Sequence, residues 1–200
     1  MSCDQTCNQP VTEPPSYLPN VDETRRGEWL QTFTGRCFWP LDPRPSEVCI
    51  EDIAHSLSMR CRYGGHSLKF YSVAEHSVLV SRFVPAADAL WALLHDAAEA
   101  YSADVPRPLK RWMPDFQVME KRIMLAVSAR FGLPMDEPAA VKRVDLAITT
   151  DERAAFMARC GRDWGDLPAP IGAIIRCLPP AEAEREFLAR FHDILGHWNV

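Results

Sequence analysis

The chain has 200 residues, 47% of them hydrophobic, which suffices for one well-packed domain, and a second full domain is not expected. The formal net charge of −5 argues against a general nucleic-acid-binding surface, although a local cluster of Arg and Lys would still admit a nucleotide. Seven cysteines without tight C-x-x-C pairs fit neither a disulfide framework nor a structural zinc site. Since neither a secretory signal nor a membrane-length apolar stretch is visible, we predict a cytoplasmic protein with no membrane association.

The N-terminal part of the chain differs in composition from the rest. Residues 1–24 are rich in Pro, Asn, Thr and acidic residues and have little apolar periodicity, so we predict a flexible arm. Residues 25–200 are predicted to form a single domain with its core at about 50–160. In the segment FTGRCFWPLDPRP, aromatic residues alternate with turn formers, which indicates an irregular loop or a short hairpin.

Helical periodicity begins at about Ile50. The segment IEDIAHSLSM has apolar residues at spacings of three and four, as on one face of a helix. Ser72 precedes the next helical segment, VAEHSVLVSRFV, and Glu75 lies three residues further on, so a capping box is predicted there.

A second strong helix is predicted from the N-cap Asp88 through Tyr101, in the segment DALWALLHDAAEAY. The segment is almost wholly apolar, which is typical of a helix at the centre of a fold. His95, Asp96 and Glu99 are therefore expected in the interior, where polar side chains must be paired or bound to something.

Three more helices follow. FQVMEKRIMLAVSARFG ends in Gly132 at a C-terminal capping position, and a long amphipathic segment runs from about Pro138. The last helix, AEAEREFLARFHDILGHW, has a predicted apolar face of Phe187, Leu188, Phe191, Ile194 and Leu195. Because strand-like stretches are few, the fold class is predicted to be all-α.

Four side chains are candidate metal ligands. His95 and Asp96 are neighbours on one predicted helix, and His76 lies on the preceding helix, which a short loop would fold back antiparallel. Asp145 interrupts an otherwise apolar helix face. Two imidazoles and two carboxylates suit one divalent cation, such as Mn²⁺, Co²⁺, Ni²⁺, Fe²⁺, Zn²⁺ or Mg²⁺. From the residues alone, a paired structural network of buried polar groups is the alternative.

Three stretches resemble the H…HD…D signature of the HD phosphohydrolase superfamily: AEHS at 74–77, LLHDAAEAYSADVPRPLK at 93–110 and VD at 144–145. They are most similar to bacterial 5′-deoxynucleotidases and neighbouring phage and prophage enzymes. The resemblance covers roughly 50–160 and implies an HD-domain helical bundle, here with an irregular N-terminal extension. It also implies one divalent ion bound by His76, His95, Asp96 and Asp145, with Asp151 and Glu152, six and seven residues further along, as the alternatives to Asp145.

The resemblance also implies roles for residues around the ion. Glu99 would position or deprotonate the attacking water. Asp104 would either donate a proton to the leaving group or cap the next turn. Arg62 would contact phosphate, and Tyr63 stands where related enzymes often have a tryptophan against the sugar. Two further basic residues, His66 and Lys110, are predicted to contact the substrate.

The predicted reaction is removal of phosphate from (deoxy)nucleoside 5′-monophosphates by metal-activated water. Release of triphosphate from a deoxynucleoside triphosphate is the close alternative, followed by a phosphodiesterase or a non-catalytic nucleotide sensor. The expected partner is a small-molecule nucleotide and not a nucleic-acid polymer. Three tryptophans predicted to be exposed, Trp39, Trp112 and Trp198, allow a homo-oligomer.

Overall fold

The computed structural model describes residues 24–162 and 164–196, so the predicted N-terminal arm lies outside it except for Thr24. Within these ranges the chain forms seven α-helices and one two-stranded sheet, which confirms the predicted all-α bundle with an irregular N-terminal part. Among the described helices, none combines the length and apolar character that a membrane span requires.

The N-terminal extension contains the short hairpin that was one of the two expectations for it. Strand β1 (Leu30–Gln31) pairs antiparallel with β2 (Cys37–Phe38). A 3₁₀ turn, Pro45–Glu47, then leads into the helices. The helices are α1 (Ile50–Met59), α2 (Val73–Phe83), α3 (Ala89–Leu94), α4 (Arg107–Lys110), α5 (Pro114–Phe131), α6 (Ala139–Phe156) and α7 (Pro180–Gly196).

Trp39 is buried in this extension, so the prediction that it is exposed is wrong. The guanidinium of Arg25 lies 4.2 Å from the centre of the Trp39 ring, and its nitrogens pair with Asp42 at 2.6 Å and Glu47 at 2.5 Å. These contacts cover the ring and hold the extension against the start of the helical region. Trp112 is 86% exposed, as predicted, and Trp198 lies outside the described residues.

The core consists of two apolar clusters that meet at α2. The first joins α2 and α3 to α1, α5 and α7, with Ile53, Leu93 and Phe187 among its fully buried members. The second lies between α2, α3 and α6 and includes Val80 and Ile148. Because α2 is enclosed by both clusters, every residue from Val73 to Ser81 is buried, including His76. A polar residue of α2 therefore needs a partner inside the protein.

The predicted helix through Tyr101 is wrong in its second half. Helix α3 ends at Leu94, His95 and Asp96 form a turn, and a 3₁₀ helix follows at Ala97–Tyr101. On a regular helix, two adjacent side chains would point about 100° apart. The turn, where Asp96 has φ −98° and ψ 10°, allows both side chains to face one point.

The start of α3 also differs from the prediction. Asp88 occupies the N-cap position, but its side chain makes no capping hydrogen bond. A 3₁₀ turn at Ala86–Asp88 runs directly into the helix and holds Asp88 near helical backbone angles, whereas a capping side chain requires an extended N-cap.

The capping box of α2 is only half formed. Ser72 Oγ accepts a hydrogen bond from the Glu75 backbone N–H at 3.1 Å, as predicted. The Glu75 carboxylate instead accepts the backbone N–H groups of Arg176, Cys177 and Leu178 at 2.8, 3.1 and 2.7 Å. This buried carboxylate thereby fastens the segment that leads into α7.

The end of α5 lies where it was predicted, whereas the apolar face of α7 is shorter than predicted. Gly132 ends α5 with a left-handed φ of 69°, as its position predicted. Leu195 was placed on the apolar face of α7 but is 36% exposed, because the buried face of that helix ends with Ile194.

Candidate metal centre

Four predicted ligands meet where α2, the turn after α3, and α6 come together. Nε2 of His76 lies 3.3 Å from Nε2 of His95 and 3.1 Å from Oδ1 of Asp145. Oδ2 of Asp96 lies 3.2 Å from Nε2 of His95 and 3.8 Å from Nε2 of His76. For metal–ligand bonds of about 2.1 Å, adjacent ligand atoms lie about 3.0–3.4 Å apart.

The three shorter distances, 3.1, 3.2 and 3.3 Å, match the spacing of ligands around a single ion. His76, His95 and Asp145 form a group that can hold a metal ion, since their ligand atoms all lie within 4.8 Å of one another. Asp96 adjoins this group through its contacts with both imidazoles.

Hydrogen bonds fix which nitrogen of each ring faces the cluster. Nδ1 of His95 donates to the Ala92 carbonyl at 2.7 Å, because a carbonyl oxygen can only accept. Nδ1 of His76 lies 2.7 Å from Oε1 of Glu152, which accepts in the same way. A neutral imidazole that donates from Nδ1 has its lone pair on Nε2. Two lone pairs 3.3 Å apart, beside two carboxylates, are therefore arranged for a shared cation.

The charges of the cluster shift the pKa values of its members. Burial by itself lowers the pKa of both imidazoles, but neighbouring carboxylates outweigh it and raise the pKa of His76, and that of His95 well above its usual range. Burial would raise the pKa of Asp145, yet hydrogen bonds from His76 and His95 hold it far below normal. The imidazoles also lower the pKa of Asp96. A divalent cation would compete with protons for this centre.

Asp145 and Asp151, two of the candidates for the last ligand, occupy different environments. Asp145 faces the histidines in the second turn of α6. The Asp151 carboxylate accepts the backbone N–H groups of Ile171 and Gly172 at 2.8 and 3.0 Å. Asp151 is thus engaged in holding the loop after α6, and the structure brings Asp145 to the cluster.

A cavity of about 570 Å³ opens beside the cluster, within the usual size range of small-molecule sites. Its lining includes most of the predicted site residues: Arg62, Tyr63, Asp96, Glu99, Asp104, Lys110 and Asp145. Arg107 and Arg111 add positive charge, and Trp164 adds an aromatic surface from the loop after α6. His66 is exposed and does not belong to this lining, so the structure does not bring it to the cavity.

Arg62 connects the cluster to the cavity. Its Nη1 lies 3.3 Å from Oδ2 of Asp96, and its Nε lies 3.7 Å from Oε1 of Glu152. Although burial lowers its pKa, the carboxylates of Glu152 and Asp96 raise it well above the usual value, so the side chain stays charged. The Arg62 Nε atom is buried and has no hydrogen-bond partner.

Tyr63 is held by the same carboxylate. Its hydroxyl donates to Oε2 of Glu152, and its ring centre lies 5.7 Å from that of Trp164. The Tyr63 backbone has a φ of 58°, in the left-handed region that non-glycine residues rarely adopt. Gly64 and Gly65 follow with φ values of 60° and 78°, and this tight turn directs the Tyr63 ring toward the cavity.

The two acidic candidates for proton transfer lie in the same lining. Glu99 is 6% exposed, and its Oε2 has no hydrogen-bond partner. Burial, followed by repulsion from Asp96 and Asp104, raises the pKa of Glu99 well above the usual range. Burial also raises the pKa of Asp104. Lys110, the predicted substrate contact, pairs with Oε1 of Glu120 at 2.5 Å.

The sequence did not indicate the observed role of two residues in this region, Glu152, which was considered only as an alternative metal ligand, and Trp164. Glu152 lies seven positions after Asp145, two turns further along the same face of α6, and that spacing could have indicated it. Trp164 lies in the irregular segment between α6 and α7, where no periodicity indicates which side chains point inward.

Together these features define an all-α protein with a His/Asp centre that can hold a metal ion beside a cavity. No family model matches the chain. It is 39% identical to the uncharacterized protein YfdR of Escherichia coli K12, over 83% of this chain and 95% of that protein. It is also 37% identical to the uncharacterized protein RCAP_rcc00048 of Rhodobacter capsulatus, over 84% of this chain and 95% of that protein. The chain belongs to the family of these two proteins. Neither name states an activity, so the function is argued from the site.

Proposed function

We propose that the protein is an HD-type, metal-dependent phosphohydrolase that removes phosphate from (deoxy)nucleoside 5′-monophosphates. The observation that carries the proposal is the convergence of two imidazole Nε2 atoms and two carboxylates beside a cavity that is also lined by the partly buried Arg62. Arg62 Nε and Glu99 Oε2 are buried next to this cluster without hydrogen-bond partners, and a substrate or water in the cavity would satisfy them.

A divalent cation at this centre would lower the pKa of a bound water and offset charge on a phosphoryl oxygen. Arg62 would supply a second positive charge at the phosphate, and its guanidinium can donate two parallel hydrogen bonds to phosphate oxygens. Its position between Asp96 and Glu152 orients that guanidinium before a substrate arrives. In phosphoryl transfer, charges that are in position before the substrate binds usually make the largest contribution to catalysis.

Glu99 and Asp104 would manage the two protons of the reaction. As water attacks, a P–O bond to the water oxygen forms, the bond between phosphorus and the 5′ oxygen breaks, and Glu99 accepts a proton from the water. Its raised pKa makes the Glu99 carboxylate a stronger base than an exposed glutamate. Asp104, whose pKa is also raised by burial, would return a proton to the leaving 5′ alkoxide.

The cavity lining supports a nucleotide as the substrate. Arg62 and Lys110 provide positive charge for phosphate, and Tyr63 and Trp164 provide aromatic surface for a sugar or base. The volume of about 570 Å³ accommodates a molecule of nucleotide size.

One observation favours triphosphate release as a second candidate. Arg107 and Arg111 lie four positions apart at α4, are exposed, and line the same cavity. Side chains at this spacing share a helix face, so both could meet the β- and γ-phosphates of a longer substrate.

A substrate panel distinguishes these candidates. Deoxynucleoside mono- and triphosphates are incubated with the protein and Mn²⁺, Co²⁺ or Mg²⁺, and the phosphorus product is identified by ³¹P NMR. Orthophosphate from monophosphates supports the proposal, and triphosphate from triphosphates supports the second candidate. Absence of turnover with every nucleotide and metal, or activity that survives His95→Ala, would overturn both.

A further inference from the structure

We propose that Glu152 is a positioning residue that couples the metal centre to the phosphate-binding side of the cavity, because one carboxylate holds His76, Arg62 and Tyr63 at once. The inference rests on the proposed function, since it assigns Arg62 to phosphate, and it names a residue that sets both metal affinity and phosphate affinity.

The contacts of Glu152 place it behind the reacting groups and not among them. Its side chain is fully buried in α6, and Glu152 is absent from the cavity lining. Oε1 lies 2.7 Å from Nδ1 of His76 and 3.7 Å from Nε of Arg62, while Oε2 accepts the Tyr63 hydroxyl. Glu152 can therefore affect a ligand through these neighbours and not by direct contact.

For His76, a carboxylate sets the tautomer without ambiguity. Both carboxylate oxygens only accept, so Nδ1 of His76 must carry the proton and Nε2 must present its lone pair to Asp145 and His95. The negative charge also makes the imidazole a more basic ligand. An amide at this position could turn its NH₂ toward Nδ1 and favour the opposite tautomer.

For Arg62, Glu152 is a counter-charge that is not itself among the candidate metal ligands. The other acidic partner of Arg62 is Oδ2 of Asp96, the oxygen that lies 3.2 Å from Nε2 of His95. An oxygen that ligates a cation has less negative charge to offer Arg62. Glu152 then remains the buried acid that keeps the guanidinium at the cavity, and loss of its charge leaves a partly buried cation with less compensation.

For Tyr63, the contact fixes the turn that carries both cavity residues. The hydroxyl bond to Glu152 joins the 3₁₀ turn Arg62–Gly65 to α6, 89 positions further along the chain. Because Tyr63 holds a left-handed backbone angle, the turn needs such external support.

The predicted effect of Glu152 on the metal centre is tested by the affinity of Co²⁺ for the folded protein, measured by isothermal titration calorimetry. Glu152→Gln keeps the size of the side chain but removes its charge, and we expect Co²⁺ to bind about 10–100-fold more weakly. Asp151→Asn is the matched control. Asp151 is the neighbouring acid in α6, and its carboxylate accepts the backbone N–H groups of Ile171 and Gly172 in the loop after that helix. Its Co²⁺ affinity should equal that of the wild type. Wild-type affinity in Glu152→Gln would overturn the inference.

The predicted effect of Glu152 on phosphate binding is tested by titrating inorganic phosphate into protein that is saturated with Co²⁺. Glu152→Gln should bind phosphate several-fold more weakly even when the metal site is full, because Arg62 is no longer held. A residue that merely stabilises the fold would lower the melting temperature and leave this dissociation constant unchanged in the folded fraction. Unchanged phosphate binding in Glu152→Gln would show that Glu152 does not couple the metal centre to the phosphate-binding side of the cavity.

A second variant serves if Glu152→Gln does not fold. Glu152→Asp keeps the charge but shortens the side chain, so it should weaken Co²⁺ binding by losing the contact with His76 Nδ1. A folded Glu152→Asp protein with wild-type constants for Co²⁺ and phosphate would overturn the inference. Because every readout is a binding constant, nucleotide hydrolysis with no Glu152 effect refutes only this inference. A Glu152 effect without hydrolysis of any nucleotide refutes only the proposed activity.

Discussion

Nε2 of His76 lies 3.3 Å from Nε2 of His95, although the two residues are 19 positions apart in the chain. The Nδ1 atoms of both rings are already committed, to Glu152 and to the Ala92 carbonyl. The facing Nε2 atoms must therefore share either protons or a cation, and this choice makes both stability and metal binding depend on pH.

The metal-free protein should lose stability as the pH rises above about 6.5. Neighbouring carboxylates raise the pKa of His95 well above its usual 6.5, so its proton stabilises the fold fully below that pH. This contribution is lost as the pH rises through the folded-state pKa. Urea unfolding at a series of pH values measures it, and a free energy of unfolding that is constant above pH 6.5 would contradict the expectation. Saturating Co²⁺ should restore stability, by about 2.7 kcal/mol at 100 times its dissociation constant.

The affinity for Co²⁺ should fall as the pH falls, whereas the stability of the metal-free protein should rise. Protons on His76 and His95 must leave before Nε2 can bind a cation, and their raised pKa values begin this competition above pH 6.5. Calorimetry in buffers of different ionisation enthalpy counts the protons released. His66→Ala is the control, because this exposed histidine lies outside the cavity lining, and it should leave the count unchanged.

Glu99→Gln should abolish hydrolysis and stabilise the metal-free protein. Burial raises the pKa of Glu99, so its folded-state proton stabilises the protein below the unfolded pKa, and this stability is lost as the pH rises through the folded pKa. The neutral glutamine avoids that loss, and we expect a gain of about 1–2 kcal/mol at pH 8. The gain should diminish toward pH 4.5. Thermal unfolding at both pH values measures it, and an equal effect at the two would show that ionisation of Glu99 is not the cause.

Asp145→Asn and Asp151→Asn should affect different properties. Asp145 faces Nε2 of His76 at 3.1 Å, so its amide variant should lose most of its Co²⁺ affinity. Asp151 accepts two backbone N–H groups of the loop after α6, so its variant should keep that affinity and lose about 1 kcal/mol of stability. Calorimetry and urea unfolding on both proteins provide the comparison. Loss of Co²⁺ binding in the Asp151 variant alone would assign the last ligand to Asp151.

Glu75→Ala should be among the more destabilising single substitutions. It removes the buried acceptor of three backbone N–H groups, those of Arg176, Cys177 and Leu178, and should cost about 3 kcal/mol or more. Glu186→Gln is the control, because its bridges to Arg176 and Arg82 lie at the partly exposed surface and should contribute less than about 1 kcal/mol. Thermal unfolding compares the two. Similar melting temperatures would show that Glu75 does not hold the segment before α7.

Most helices could be predicted because their burial follows local periodicity. Helix α1 lies at Ile50–Met59, where the spacing of its apolar residues indicated it, and Gly132 ends α5 with the backbone angle that its position predicted. The end of α3 at Leu94 could not be predicted in this way. The residues that follow, AAEAY, are mostly good helix formers, and contacts distant in sequence decide their conformation instead. One such contact is that of the Tyr101 hydroxyl with the Cys49 backbone.

The composition of the candidate centre could be read from the chain, whereas its arrangement could not. The residue types His76, His95, Asp96 and Asp145 indicated metal chemistry because isolated polar side chains in apolar helices are costly to bury. Only the packing of α2 against α3 and α6 brings their ligand atoms together, assigns Asp151 to the loop and places Glu152 behind His76. The physical reason is that periodicity records which face of each helix is buried, while the direction of a side chain toward a distant partner depends on how helices pack and where they break.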